Sequence, residues 1–86
     1  MRSTSTTEEP PNRLPRWTLG DRLRKAREHR GWTQRELSSR LGVSLRTISR
    51  WERGENRPSY PLLVAASRET GVPIAWLVDE DGGDGS

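Results

Sequence analysis

Residues 33–53 read TQRELSSRLGVSLRTISRWER, two short helical patterns set back to back across a glycine. Thr33 followed three positions later by Glu36 is a capping box: the hydroxyl takes the amide of residue 36 while the carboxylate reaches back to the amide of residue 33. Leu37 and Leu41 follow one turn apart, and Gly42 ends the helix. Ser44 is the next cap. It opens a helix over 45–53 whose Ile48 and Trp51 face one way, with Arg46, Ser49, Arg50 and Arg53 facing elsewhere. So sharp a corner needs left-handed backbone, which Gly42 can adopt, and Val43 can plug it. Ser38 is small enough for the two helices to cross closely. Leu37, Leu41, Val43, Ile48 and Trp51 are then buried together.

The same punctuation continues on either side. Upstream, Thr18 caps a helix whose Leu19, Leu23 and Ala26 recur at i, i+4 and i+7, and Gly31 stops it. Downstream, the loop Glu55-Asn56-Arg57-Pro58 leads to Ser59 as a cap. Leu62, Leu63 and Ala66 form a fourth apolar face, closed by Gly71, and a short fifth helix covers Ile74 to Val78. No strand pattern and no internal repeat occur. The expected fold is therefore all-α, five helices in a compact bundle. Its expected core is Leu19, Leu23, Ala26, Leu37, Leu41, Val43, Ile48, Trp51, Leu62, Ala66, Val72 and Leu77. Residues 1–16 (MRSTSTTEEPPNRLPR) offer too little apolar surface to offset their ordering entropy and are expected to be a disordered tail. Residues 80–86 (EDGGDGS) are expected to be a flexible acidic end, leaving 17–79 as the folded domain.

Composition narrows the function. Eighty-six residues make one small domain, with 29% hydrophobic and 31% charged residues, so the core must be economical. The absence of cysteine excludes disulfides and thiolate metal sites, and the single histidine, a surface residue on the first helix, excludes a histidine cluster. No apolar run approaches the ~20 residues of a membrane span, and the polar N-terminus is not a secretory signal. These exclusions point to a soluble, cytoplasmic protein without metal or cofactor, nucleoid-associated if its partner is DNA. An enzyme is not expected: there is no nucleophile–base pair and no phosphate-binding glycine loop. The net charge of +3 is unevenly spread. Residues 13–68 carry fourteen basic and five acidic side chains, whereas 69–86 carry five acidic and no basic ones. Fourteen of the fifteen basic residues are arginine, whose planar fork grips phosphate or guanine with two hydrogen bonds. A small basic body has nucleic acid as its first candidate partner. The plain alternative is a solvated arginine-rich surface.

Capping box, small residue, turn glycine, plug and two core residues together make the spacing of a DNA-binding helix-turn-helix. The stretch GWTQRELSSRLGVSLRTISRWERGENRPS, residues 31–59, resembles the helix-turn-helix of the phage lambda repressor and Cro type, also called the XRE type. The likeness extends from about Leu19 to Leu77, resting outside the motif on Arg27, Gly31 and the closing GVPIAWL. It implies five-helix lambda-repressor-like architecture and double-stranded DNA binding in transcriptional regulation. The chain departs from the pattern in two places. Ser38 stands where alanine is usual, which costs little if its hydroxyl bonds back to the helix. The run from Pro58 to Gly71 is longer than in the shortest relatives, with Pro61 in its first turn.

Residue roles follow from the resemblance and from chemistry together. The third helix is expected in the major groove, with Leu45, Arg46, Thr47, Ser49 and Arg50 at the bases. Arg46 and Arg50, one turn apart, could each grip a guanine, and Leu45 could touch a thymine methyl. Their bland alternatives are phosphate contact and an ordinary exposed leucine. Thr33, Gln34 and Ser44 at helix starts, and Asn56, Arg57 and Ser59 after the recognition helix, are the expected phosphate contacts. For the last three the alternative is a polar loop, and for Gln34 a solvent-facing helix start. By resemblance, Arg27 and Glu52 form a structural ion pair that orients the recognition helix. Trp51 is core, while Trp17, Trp32 and Trp76 are helix-end packing.

The expected function is sequence-specific regulation of transcription, as a bacterial or phage repressor. Two rivals stay open: an antitoxin-type module binding a protein partner through its C-terminal segment, and a phage integration or excision factor. A homodimer on a two-fold operator is a further expectation, with Ile74, Trp76 and Val78 as the available seam. The alternative is that these three complete the monomer's own core. Arg13 and Arg16 could form an arm along the duplex.

Overall fold

The computed structural model describes residues 17–79. The expectations for 1–16 and 80–86, including the Arg13 and Arg16 arm, lie outside the described residues. Five helices follow in chain order: α1 Leu19–His29, α2 Gln34–Leu41, α3 Leu45–Glu52, α4 Tyr60–Thr70 and α5 Ile74–Val78. Among the described residues there is no strand.

Local chemistry sets each boundary. Thr33 accepts the Glu36 amide at 3.0 Å, and its own amide reaches the Glu36 carboxylate at 2.7 Å. Thr18 forms a second such box with Asp21, at 3.2 and 3.1 Å. Ser44 accepts the Thr47 amide at 3.0 Å, and the two hydroxyls are 2.9 Å apart. Ser59 differs. It occupies the cap position of α4 with extended backbone, but its side chain makes no cap hydrogen bond. Pro61 in the first turn already lacks one of the amides that a cap would satisfy. Arg53 closes α3 as its C-terminal cap, one residue short of the expected helix end.

The corner between α2 and α3 is made by Gly42 in the left-handed region, at φ 71°. Its amide turns back to the carbonyls of Ser38 and Ser39, and the Val43 amide also reaches Ser38, at 3.0 Å. A Cβ at Gly42 would meet nothing within 4 Å, so the cost of a side chain there is backbone strain alone. Gly42→Ala should therefore lose about 1 kcal/mol, read as a lowered urea midpoint with unchanged slope.

Helix α1 packs across α3, α4 and α5, while α2 packs on α3 and α4. The buried apolar core is Leu19, Leu23, Ala26, Leu37, Ile48, Trp51, Leu63, Ala66 and Leu77. Leu41, Val43, Leu62 and Val72, expected inside, instead line its edge half-buried, with Trp32 and Ile74 beside them. On α4 the inward face is Leu63, Ala66 and Thr70, at i, i+3 and i+7, so Leu63 replaces Leu62 at the centre. Thr70 tolerates burial because its hydroxyl donates to the Ala66 carbonyl at 2.7 Å and accepts the Val72 amide at 3.3 Å. Ser38, also buried, donates to the Arg35 carbonyl at 2.7 Å, the back-bond its hydroxyl needs where α2 meets α3.

The outer tryptophans carry cations. The Arg22 guanidinium lies 4.8 Å from the Trp76 ring centre and 5.9 Å from that of Trp17, and donates to the Trp76 carbonyl. Arg40 and Arg30 lie 4.1 and 5.0 Å from the ring of Trp32. These stacks fasten the ends of α1, α2 and α5.

Candidate nucleic-acid interface

Helix α3 is two-faced. Ile48 is fully buried and Trp51 nearly so, and they hold its back against α1 and α2. On the front, Leu45 and Arg46 are exposed, while Thr47, Ser49 and Arg50 are partly covered. A shallow open hollow of about 510 Å³ runs along this front, lined by Gln34, Leu45, Arg46, Ser49, Arg50, Arg53 and Glu55. Asn56, Arg57 and Ser59 follow, all exposed.

Behind the front lies a polar lock. The Arg27 guanidinium meets Glu52 through two hydrogen bonds, of 2.7 and 3.0 Å, and also donates to the Trp32 carbonyl at 2.9 Å. Both side chains are nearly covered, 12% and 5% exposed. Hydrogen bonding to Glu52 raises the Arg27 pKa, with burial opposing, so the arginine stays charged at any pH the fold experiences. Gln34 joins them: its side-chain amide donates to Glu52 at 2.9 Å. α1, the start of α2 and the end of α3 thus share one carboxylate. Gln34 was expected to face a phosphate. It is half-buried and committed to Glu52, while still bordering the hollow. The hydroxyls of Thr33 and Ser44 are likewise committed to their caps.

A second acid sits in front. Glu55 receives a forked pair of hydrogen bonds from Arg53, at 2.8 and 3.1 Å. Its carboxylate lies 3.9 Å from Arg50 Nε. Arg53 also donates to the Ser49 hydroxyl. The hydrogen bond from Arg53, with the charges of Arg53, Arg50 and Arg46, holds the Glu55 carboxyl below its ordinary range. Arg46 makes no ion pair among the described residues. In the sequence Glu55 stands only as part of a polar loop. An acid one residue beyond the turn that ends an arginine-bearing helix was the available signal.

The helix-turn-helix family model matches residues 23–77, a span containing α2, the turn, α3 and α4. The chain belongs to the XRE-type helix-turn-helix family. Among similar proteins, the HTH-type transcriptional regulator DicA of Escherichia coli is 36% identical over 66 residues, 74% of this chain and 49% of DicA. The transcriptional regulator ClgR of Mycobacterium tuberculosis is 39% identical over 69 residues, 80% of this chain and 62% of ClgR. The chain thus spans between about half and two thirds of these relatives. Among solved structures, the P22 c2 repressor in complex with a synthetic operator superimposes with a TM-score of 0.67 at 33% identity, covering 71% of this chain and 92% of that one. ClgR of C. glutamicum gives 0.65 at 35% identity, covering 80% and 86%. The expected lambda-repressor-like five-helix fold is the one observed. No helix among the described residues is long and apolar enough to cross a membrane.

Proposed function

We propose that this protein is a sequence-specific, double-stranded-DNA-binding regulator of transcription, a repressor acting in the cytoplasm, with α3 as its recognition helix. One observation carries the reading: α3 is anchored from behind by Ile48 and Trp51 and presents Leu45, Arg46, Ser49 and Arg50 along an open front. Its match to a repressor solved on an operator supports the same reading. In this proposal Leu45, Arg46, Thr47, Ser49 and Arg50 meet base edges, and Arg46 and Arg50 can each hold O6 and N7 of a guanine. Thr33, Gln34 and Ser44 approach phosphates from the helix starts, where backbone amides add partial positive charge. Asn56, Arg57 and Ser59 hold the backbone beyond α3. A two-fold dimer would place its half-sites ~34 Å apart. For such a seam, α5 offers Trp76 and Val78, each 36% exposed, whereas Ile74 packs on the monomer's own core.

Selection from random duplexes followed by footprinting tests the reading and gives site, symmetry and spacing together. Arg46→Ala or Arg50→Ala should relax preference at particular base pairs, each by ~1–3 kcal/mol. Arg57→Ala should weaken all duplexes alike and reduce the salt slope by about one. Equal behaviour of all three variants would remove the assignment of base readers. A protein that prefers no duplex, or whose affinity ignores salt, would remove the function.

A further inference from the structure

The acid on the cationic front has no part in the reading above, and its placement is built rather than incidental. The chain reverses at Gly54, and the Glu55 amide then donates to the Arg50 carbonyl at 2.9 Å. That bond brings the Glu55 side chain back over the exposed end of α3. There the carboxylate takes both prongs of Arg53 and lies beside Arg50, while Arg53 reaches on to Ser49. Ser49, Arg53, Glu55 and Arg50 thus form one connected array across the front.

An array of this kind has two consequences for an approaching duplex. It restrains Arg53 through the fork and draws Arg50 to within 3.9 Å of the same carboxylate before contact, which lowers the ordering cost of any contact needing that arrangement. It also sets a negative charge where phosphates would come, which opposes contacts resting on charge alone. The first effect favours a matching sequence, and the second penalises every sequence. We propose that Glu55 is a specificity-determining residue: it pre-positions Arg50 and Arg53 on α3 and suppresses indiscriminate phosphate capture. The proposal rests on the reading of α3 as the recognition helix.

Glu55→Ala tests it. Residue 55 is an exposed loop position, and an unchanged melting curve verifies that the variant folds. Wild type and variant are titrated at several salt concentrations against two duplexes of equal length, one enriched from a random pool and one scrambled. Affinity for the scrambled duplex should rise about tenfold and its salt slope should steepen by about one phosphate. Affinity for the enriched duplex should change far less, so the ratio between the two collapses. With Arg53→Ala already present, the same change should move the ratio much less, because the array has lost its central member. In the free protein, the Arg53 Nε–H resonance should exchange more slowly with solvent in wild type than in the variant. Equal gains for both duplexes would reduce Glu55 to plain repulsion and overturn the inference while leaving DNA recognition intact. If wild type discriminates between no duplexes, both readings fall, and the Arg53 resonance then reports only on the fork itself.

Discussion

Gly20→Ala should destabilise the domain by ~3 kcal/mol or more, a large share of the stability of so small a fold. Gly20 is buried in the first turn of α1, where that turn meets the end of α3. A Cβ there would fall deep inside the contact distance of the Trp51 carbonyl oxygen and 2.8 Å from the Glu52 carbonyl oxygen. Both obstacles are backbone, so no rotamer change relieves them, and α1 must move off α3. The start of a helix carries partial positive charge and the end of another partial negative charge, so the close approach is favourable as built. Thermal or urea unfolding measures the effect, with a melting temperature lowered by roughly 12 °C or more. Gly42→Ala, strained but unobstructed, is the matched comparison and should lose much less. Similar losses for the two variants would mean that α1 and α3 are not this close.

Glu52→Ala is the second large loss, about 3–5 kcal/mol. Glu52 is the shared acceptor of Arg27 and Gln34, and it is 5% exposed. Its removal leaves a nearly covered guanidinium with only the Trp32 carbonyl. Stability alone would not prove that reading, because truncating any buried side chain costs something. The discriminating variant is the double change Arg27→Met with Glu52→Leu, which removes both charges and keeps apolar bulk. It should recover most of the loss, since a buried pair contributes little over a well-packed apolar replacement. If the double variant is as unstable as Glu52→Ala, uncompensated charge is not the cause.

These two positions differ in how far the sequence revealed them. The starts of α1, α2 and α3 and the glycine turns after α2 and α4 were readable, because a side-chain cap or a turn glycine acts within four residues; α5, which starts at Pro73 and has neither, was legible only as a short apolar run. The two faces of α3 were readable for the same reason: Ile48 and Trp51 are one turn apart, and the arginines are not in register with them. The role of Gly20 was hidden. It depends on which carbonyls of a distant helix come close, and the only sequence signal was a glycine in a helical turn. The choice of Leu63 over Leu62 was hidden too. Ala66 accepts either as its neighbour, and the deciding third member, Thr70, is polar. Gln34 illustrates a different loss: its place at the start of α2 was legible, but its bond to Glu52 joins residues eighteen apart. Glu55 escaped because its partners are assembled by a backbone reversal rather than by helical periodicity.

The caps described for α1, α2 and α3 all close over three residues, and consecutive helices are joined by short turns. A chain with so much of its information stored nearby has little conformational search to perform, and helical topologies of this kind reach their final shape in roughly microseconds to milliseconds. A ribosome adds about 5–20 residues per second. The domain should therefore be folded almost as soon as α5 clears the exit tunnel, so the time to a folded domain is set by synthesis and not by the conformational search.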